Sequence, residues 1–379
     1  MILRRVAATA LSLVVVLLAG CSAAAAPAEP TASAPRVALS EVSPLADPKA
    51  YVGPSTATLD DAAIEPVLAA PSSRLPVTVT SRDLSGDVEV TVTDASRVIA
   101  MDLSGSLAAT VAGLGFADRL VGRDISTTFA GVSDLPVITS GGHSVNAEAI
   151  IGLAPTLVIT DGSIGPADVV QQLRDVGITV VFVERSSSFV GAAAQARAVA
   201  AIFGAADAGD LLAGRIEGEL QTVTAQISRI APAAESDRLR MVFLYLRGTS
   251  GIYYLFGSES GADDLVGALG GIDVAGQLGW RGMQPMTDEA MVAADPDLIL
   301  VMTAGIASVG GIDGLLAEKP AIALTSAGQH RRFVDMADGQ ILSFGPRSAE
   351  VLDALARAVY APDGASDAAS PAVPAEQGP

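Results

Sequence analysis

From Arg97 the chain alternates short apolar runs with longer stretches of mixed period. Val98–Met101, Leu120–Gly122, Leu157–Thr160 and Thr179–Val183 are continuous runs without a polar face, the pattern of strands buried on both sides. Between and after them, Leu107–Leu114, Ala147–Leu153, Ala167–Val176 and residues 188–204 place apolar residues at helical spacing. Strands alternating with helices predict parallel βαβ units. Residues 206–230 then run without proline. Leu212, Ile216, Leu220, Val223, Ile227 and Ile230 recur at three- and four-residue steps, which predicts one long amphipathic helix stopped by Pro232. A second set follows: strands at Met241–Tyr245, Ile252–Phe256, Leu298–Met302 and Gln340–Phe344, and a closing helix over 348–359. Upstream, Leu75–Thr80 and Val88–Thr93 alternate at period two around Asp83–Asp87 and predict a hairpin. Residues 36–73 hold Pro44, Pro48, Pro54, Pro66 and Pro71 with little periodicity and read as an irregular lead-in.

The two halves echo each other. Residues 146–159 and 287–300 align at a constant offset of 141, which superposes Asn146 on Thr287, Glu148 on Glu289 and Pro155 on Pro296. Each copy reads as a capped helix, a proline loop and a strand. The expected fold is therefore α/β: two Rossmann-like lobes joined by a single long helix, with an N-terminal irregular and hairpin extension. The expected divisions are 1–20 leader, 21–35 tether, 36–95 extension, 96–205 N-lobe, 206–232 linking helix, 233–360 C-lobe and 361–379 disordered tail. Two lobes enclose a cleft, the usual seat of a small ligand.

The first residues set the compartment. Arg4 and Arg5 precede an apolar run from Val6 to Ala19, of signal-peptide length and too short to span a bilayer. It ends in Leu18-Ala19-Gly20-Cys21, which resembles the lipobox of bacterial lipoproteins, where the chain is cut before the cysteine and the cysteine is acylated. A plain signal peptide with an incidental cysteine is the alternative. Cys21 is the one cysteine of the chain, so a disulfide framework and a multi-thiolate zinc site are excluded. Acyl chains would hold the protein on the extracytoplasmic face of the cell membrane without a span. The Ala/Pro stretch after Cys21 and the Ala/Pro/Ser tail have the composition of flexible chain. Net charge is −19, from 23 basic and 42 acidic residues, so nucleic acid is a poor partner. Two histidines exclude a multi-histidine metal cluster.

Lipobox, tether, lobe, linking helix and lobe resemble the substrate-binding lipoproteins of ABC importers, in the helical-linker class that takes haem, ferric siderophores and cobalamin. The runs GRDISTTF (122–129), SGGHSVNAEAI (140–150), LYLRG (244–248), VMTAGIASVGG (301–311) and FGPR (344–347) resemble the actinobacterial haem-binding members. The resemblance covers roughly residues 75–360. It implies a lipid-anchored, monomeric, non-enzymatic receptor that binds ferric haem in the cleft and delivers it to the permease and ATPase subunits of an importer.

Iron in haem takes axial ligands from histidine, tyrosine, cysteine or methionine. His143 follows Gly141 and Gly142, which give the loop freedom to present an imidazole. Read alone it is equally a solvated loop histidine; the resemblance makes it an axial ligand. Tyr245 and Arg247 lie two apart on a predicted strand and so share a face. A phenolate suits Fe(III), and a neighbouring guanidinium favours the anion. Without the resemblance this is a strand-end aromatic beside a surface arginine; with it, Tyr245 is the second ligand and Arg247 its support. Trp280 and Met302 are candidate pocket walls, though a half-buried tryptophan and a core methionine look the same in sequence. Arg123, Arg281 and Arg347 could meet propionates bidentately. His330 reads as a surface residue. Glu148 and Glu289 suit the first turn of a helix for local electrostatic reasons; the resemblance implies that they dock to the importer.

Other readings remain open at this point. The same fold could hold a ferric siderophore or cobalamin. An exported hydrolase has little support, because there is no Gly-x-Ser-x-Gly elbow and too few histidines for a serine triad. Gly-x-Gly-x-x-Gly after a strand is absent too, which disfavours a dinucleotide enzyme. A lipid-anchored adhesin needs no cleft ligand at all.

Overall fold

The computed structural model describes residues 37–59, 63–140 and 143–362. The leader, Cys21, the tether and residues 363–379 lie outside the described residues. All elements below belong to the unit Ala38–Pro379.

The N-lobe is built on four parallel strands, in the spatial order Leu120–Gly122, Val98–Met101, Leu157–Thr160, Thr179–Phe182. The two central strands are buried at every position, as their unbroken apolar runs predict. Helices Ser106–Leu114, Ala147–Gly152, Asp168–Asp175 and Phe189–Ile202 alternate with them. The echo holds in three dimensions. Asn146 accepts from Ala149 N–H at 3.1 Å and Thr287 from Ala290 N–H at 3.2 Å, each closing the first turn of its helix.

One helix, Ala206–Ile230, joins the lobes. It buries Leu212, Ile216, Val223 and Ile227 against Phe189–Ile202 and the closing helix Ser348–Tyr360. Ala231 turns extended (φ −74°, ψ 148°) because it precedes Pro232, whose ring excludes the helical conformation there.

The C-lobe sheet runs Ser55–Ala57, Phe333–Met336, Leu298–Met302, Arg240–Arg247, Ile252–Phe256, Met283–Pro285, with the short Ile272–Asp273 also beside Arg240–Arg247. The first four are parallel; Ile252–Phe256 folds back antiparallel, and Met283–Pro285 is antiparallel to it.

Two expectations change. Gln340–Phe344 is not a strand: it is a set of turns, with Gln340 and Ile341 donating to Ala337 O and Ser343 to Gln340 O. Ile341 and Phe344 are buried all the same, Phe344 edge-on to Phe189 at 5.0 Å between centroids. The strand lies earlier, at Phe333–Met336. There Asp335 breaks the apolar pattern because it takes hydrogen bonds from Thr56 and Thr303. The lead-in, expected to be irregular, supplies the edge strand Ser55–Ala57. Buried Arg332 ties it down, donating to Ser55 Oγ (2.8 Å) and to the carbonyls of Ala358 (2.9 Å) and Val359 (2.7 Å), with its guanidinium 4.6 Å from the Tyr51 ring. The predicted hairpin is present as Val77–Asp83 and Gly86–Val92. It rests on the N-lobe, where Ser81 Oγ accepts from Phe182 N–H at 2.8 Å. Among the described residues no helix is long and apolar enough to cross a membrane.

Candidate functional site

Parallel strands bring their carboxyl ends to one edge, and ligands of open α/β sheets sit just beyond that edge. In the C-lobe the register aligns Leu244 with Val301 and Met302 with Met336. Tyr245, Arg247, Met302 and Asp338 therefore emerge at the same end.

They form a contiguous group. The Arg247 guanidinium lies 4.7 Å from the centroid of the Tyr245 ring, as their shared face requires. The phenol ring stacks on Phe256 at 6.1 Å. Arg247 Nη1 donates to Leu246 O at 2.9 Å, and Nη2 is 2.6 Å from Asp338 Oδ2 and 3.9 Å from Met302 Sδ. Tyr245, Arg247 and Met302 are half-buried.

His143 comes from the other lobe. It sits in the turn between the short strands Thr139–Ser140 and Ser144–Val145; Gly141 and Gly142 are outside the described residues. The hairpin is fixed to the end of the N-lobe sheet: Ile138 N–H donates to Arg123 O, Ile125 N–H to Thr139 Oγ1 and Val145 N–H to Gly165 O. Nδ1 of His143 is buried with no hydrogen-bond partner among the described residues. Such an orphan costs about 1–3 kcal/mol unless a ligand satisfies it. Burial, and then the charge of Arg247, hold the imidazole below its ordinary pKa, with Asp338 opposing. The guanidinium of one lobe thus acts on the imidazole of the other. A neutral imidazole keeps the lone pair that a metal needs.

The remaining candidates are more dispersed. Trp280 packs against the cluster of Val242, Leu244 and Leu246, the residues that alternate with Tyr245 and so face the other side of the sheet. Arg281 is exposed and pairs with Glu259. Arg123 Nη1 donates to the carbonyls of Asp124 and Thr127, within its own loop. Arg347, paired with Glu350, lines a small open pocket at the junction of the lobes with Ser104, Gly105, Ser126, Gly339 and Gln340. Glu148 and Glu289 are exposed on their matching helices, with no ion pair among the described residues. His330 is half-buried, and Cys21 lies outside the described residues.

Four acids were not singled out from sequence. Asp338 is 91 residues from Arg247, and nothing local links them. Asp102, Asp124 and Asp161 do carry a signal: each follows an apolar run by one or two residues. They sit together at the carboxyl ends of three neighbouring strands. Asp102 accepts from the N–H groups of Ser104, Ser106 and Leu107, which caps Ser106–Leu114. Asp124, fully buried, is pushed up to about 7 by burial and by the charge of Asp102, against hydrogen bonds from Asp102 N–H and Thr127.

Comparisons with known proteins agree with this architecture. Residues 102–338 match the periplasmic binding protein family. Over 289 residues the chain is 27% identical to an uncharacterized ABC transporter substrate-binding lipoprotein, YvrC of Bacillus subtilis (strain 168), covering 75% of this chain and 86% of that protein. The crystal structure of the heme-binding protein HmuT is 39% identical, with a TM-score of 0.77, covering 83% of this chain and 99% of that one. HmuT has also been solved with alanine in place of a tyrosine, of an arginine two residues beyond it, and of a histidine. The periplasmic heme-binding protein RhuT from Roseiflexus sp. RS-1, in apo form, is 32% identical with a TM-score of 0.63, covering 72% of this chain and 100% of that one.

Proposed function

The chain belongs to the periplasmic binding protein family, and on that premise we propose that it is a lipid-anchored receptor that binds ferric haem between its lobes and delivers it to an ABC importer. His143 of the N-lobe and Tyr245 of the C-lobe are the axial ligands, Arg247 supports the phenolate, and Met302 lines the slot beside them. Haem is cargo here, so the protein must hold it firmly without altering it.

One observation carries the reading. A buried imidazole nitrogen without a partner stands where the charge of Arg247, from the opposite lobe, reaches it, and Arg247 lies against the ring of Tyr245. An imidazole kept neutral and a phenol beside a cation are the two donor types that suit Fe(III). The relatives bear on the cargo: HmuT and RhuT are heme-binding proteins, and HmuT variants remove a histidine and a tyrosine–arginine pair of the same two-residue spacing.

Localisation and partners follow from the resemblance to the lipoprotein YvrC and from Cys21 at the end of a signal-like run. Acylated Cys21 holds the receptor at the extracytoplasmic face, the importer's permease and ATPase subunits receive the cargo, and the receptor acts as a monomer. Glu148 and Glu289, one on each lobe, are the docking points. Arg347 and Arg123, at the junction and in the loop beside it, are the nearer candidates for propionates; exposed Arg281 and Trp280, on the other face of the sheet, are the more distant ones.

Hemin titration tests the reading. The wild-type protein should give a saturable Soret shift at micromolar concentration, and His143→Ala and Tyr245→Ala should each displace that band and weaken binding. A wild-type protein with no saturable shift overturns the haem assignment and leaves an uptake receptor for another cargo, such as a ferric siderophore.

A further inference from the structure

We propose that Asp338 is a positioning residue of the haem site, acting through Arg247: it fixes the guanidinium against Tyr245 in the pose that receives the cargo. The inference rests on the haem reading above and adds to it a residue that neither the sequence motifs nor the comparisons point to.

Both oxygens of Asp338 are engaged. Oδ2 takes Arg247 Nη2 at 2.6 Å, a distance typical of a charge-assisted bond. Oδ1 accepts from Ala304 N–H at 3.0 Å, in the first turn of Thr303–Ala307. The carboxylate is thereby tied to the carboxyl ends of two neighbouring strands, Leu298–Met302 and Phe333–Met336, and cannot swing without breaking a backbone contact. Arg247 is held at its other end by Leu246 O. Gly305 makes the room: a Cβ there would stand 3.0 Å from Leu246 O and 3.2 Å from Arg247 Nη1. An arginine side chain otherwise carries several free torsions. Clamped at both ends, its flat guanidinium stays over the ring of Tyr245. Both partners are about a quarter exposed, so solvent competes for the pair and the second anchor on Ala304 matters.

Groups that orient a ligand from behind typically change metal affinity by about 10- to 100-fold when removed. The test uses the full chain loaded with ferric haem and follows transfer of the haem to excess apomyoglobin, together with the visible bands of the tyrosinate–iron unit. Asp338→Asn keeps an oxygen for Ala304 N–H and loses the charge-assisted bond. It should lose haem about tenfold faster and shift those bands. Asp338→Ser, which also removes the charge but with a shorter polar side chain, should lose haem at least as fast as Asn, and Asp338→Glu should fall nearer to wild type. In an Arg247→Ala background, Asp338→Asn should have a much smaller further effect, because Asp338 acts chiefly through the guanidinium and only secondarily through its charge at His143.

Wild-type kinetics and bands in Asp338→Asn and Asp338→Ser, or an equal effect in both backgrounds, overturn the proposal while leaving the haem site intact. A wild-type protein that takes up no hemin overturns the haem reading itself, and this inference with it.

Discussion

Ser126 and Gly339 meet at the junction of the lobes so closely that a Cβ added at Gly339 would lie 2.7 Å from the Ser126 carbonyl oxygen. Gly339 follows Asp338, and Ser126 lies in the loop that Asp124 and Arg123 hold. The contact therefore links the Tyr245–Arg247 side of the cleft with the loop that braces the His143 hairpin.

Gly339→Ala should push the two walls apart. Overpacking of this kind costs about 1–3 kcal/mol, so thermal unfolding should begin several degrees earlier. Hemin affinity should drop as well, because the two proposed iron donors, His143 and Tyr245, must reach one iron atom. Calorimetry and hemin titration on the same preparation check both effects; unchanged affinity with lowered stability would confine the contact to a structural role.

Asp124 makes stability fall as the medium becomes less acidic. Its folded pKa, about 7, lies above the usual carboxylate value of 3.8, raised by burial and by Asp102. Between those values the folded state binds more protons than the unfolded one. The contribution is thus complete below the unfolded pKa and lost as pH rises through about 7. Asp161, also raised by burial and by Asp102, adds in the same direction. Asp124→Asn should flatten the stability profile between about pH 4 and pH 7, which urea unfolding at several pH values would reveal.

Arg332 is 1% exposed and pairs with no carboxylate among the described residues; its Nη1 and Nη2 donate to carbonyls and to Ser55 Oγ, while Nε is buried without a partner. Arg332→Met should leave the Val359 carbonyl without its donor and the Ala358 carbonyl with Ser55 Oγ alone, at a cost of about 2–3 kcal/mol. Because Ser55–Ala57 pairs with Phe333–Met336, amide exchange should rise first along these two strands, while the hemin spectrum of the remaining folded protein stays as in wild type.

Glu148→Gln and Glu289→Gln test the proposed docking role apart from haem binding. Both side chains are exposed and lie in helices whose caps are Asn146 and Thr287. Purified variants should bind hemin like wild type and lose only a few tenths of a kcal/mol of stability. Cells carrying both changes should take up haem much more slowly. Normal uptake would remove these residues from the docking surface.

Much of this architecture is readable in local periodicity. The long helix was legible because its apolar side repeats over about five turns, from Leu212 to Ile230, and the central strands because both faces are apolar. The segment Gln340–Phe344 misled because burial does not require a strand: turns present Ile341 and Phe344 to the core equally well. Phe333–Met336 was hidden by Asp335, whose polarity is met by two threonine hydroxyls from other strands or helices. Ser55–Ala57 is too short to show a period, and only the neighbouring strand gives it one.

The sequence by itself determined the alternation of elements, the helix between the lobes, and the neighbour pairs that two-residue strand spacing enforces, such as Tyr245 with Arg247. Tertiary structure alone decided which acid meets Arg247, that an imidazole from the first lobe stands within reach of that cation, and that the lead-in completes the second sheet. The reason is range. Backbone geometry fixes where side chains a few residues apart will point, whereas contacts between residues roughly a hundred positions apart depend on how whole sheets and helices pack, and short stretches of chain carry no trace of that.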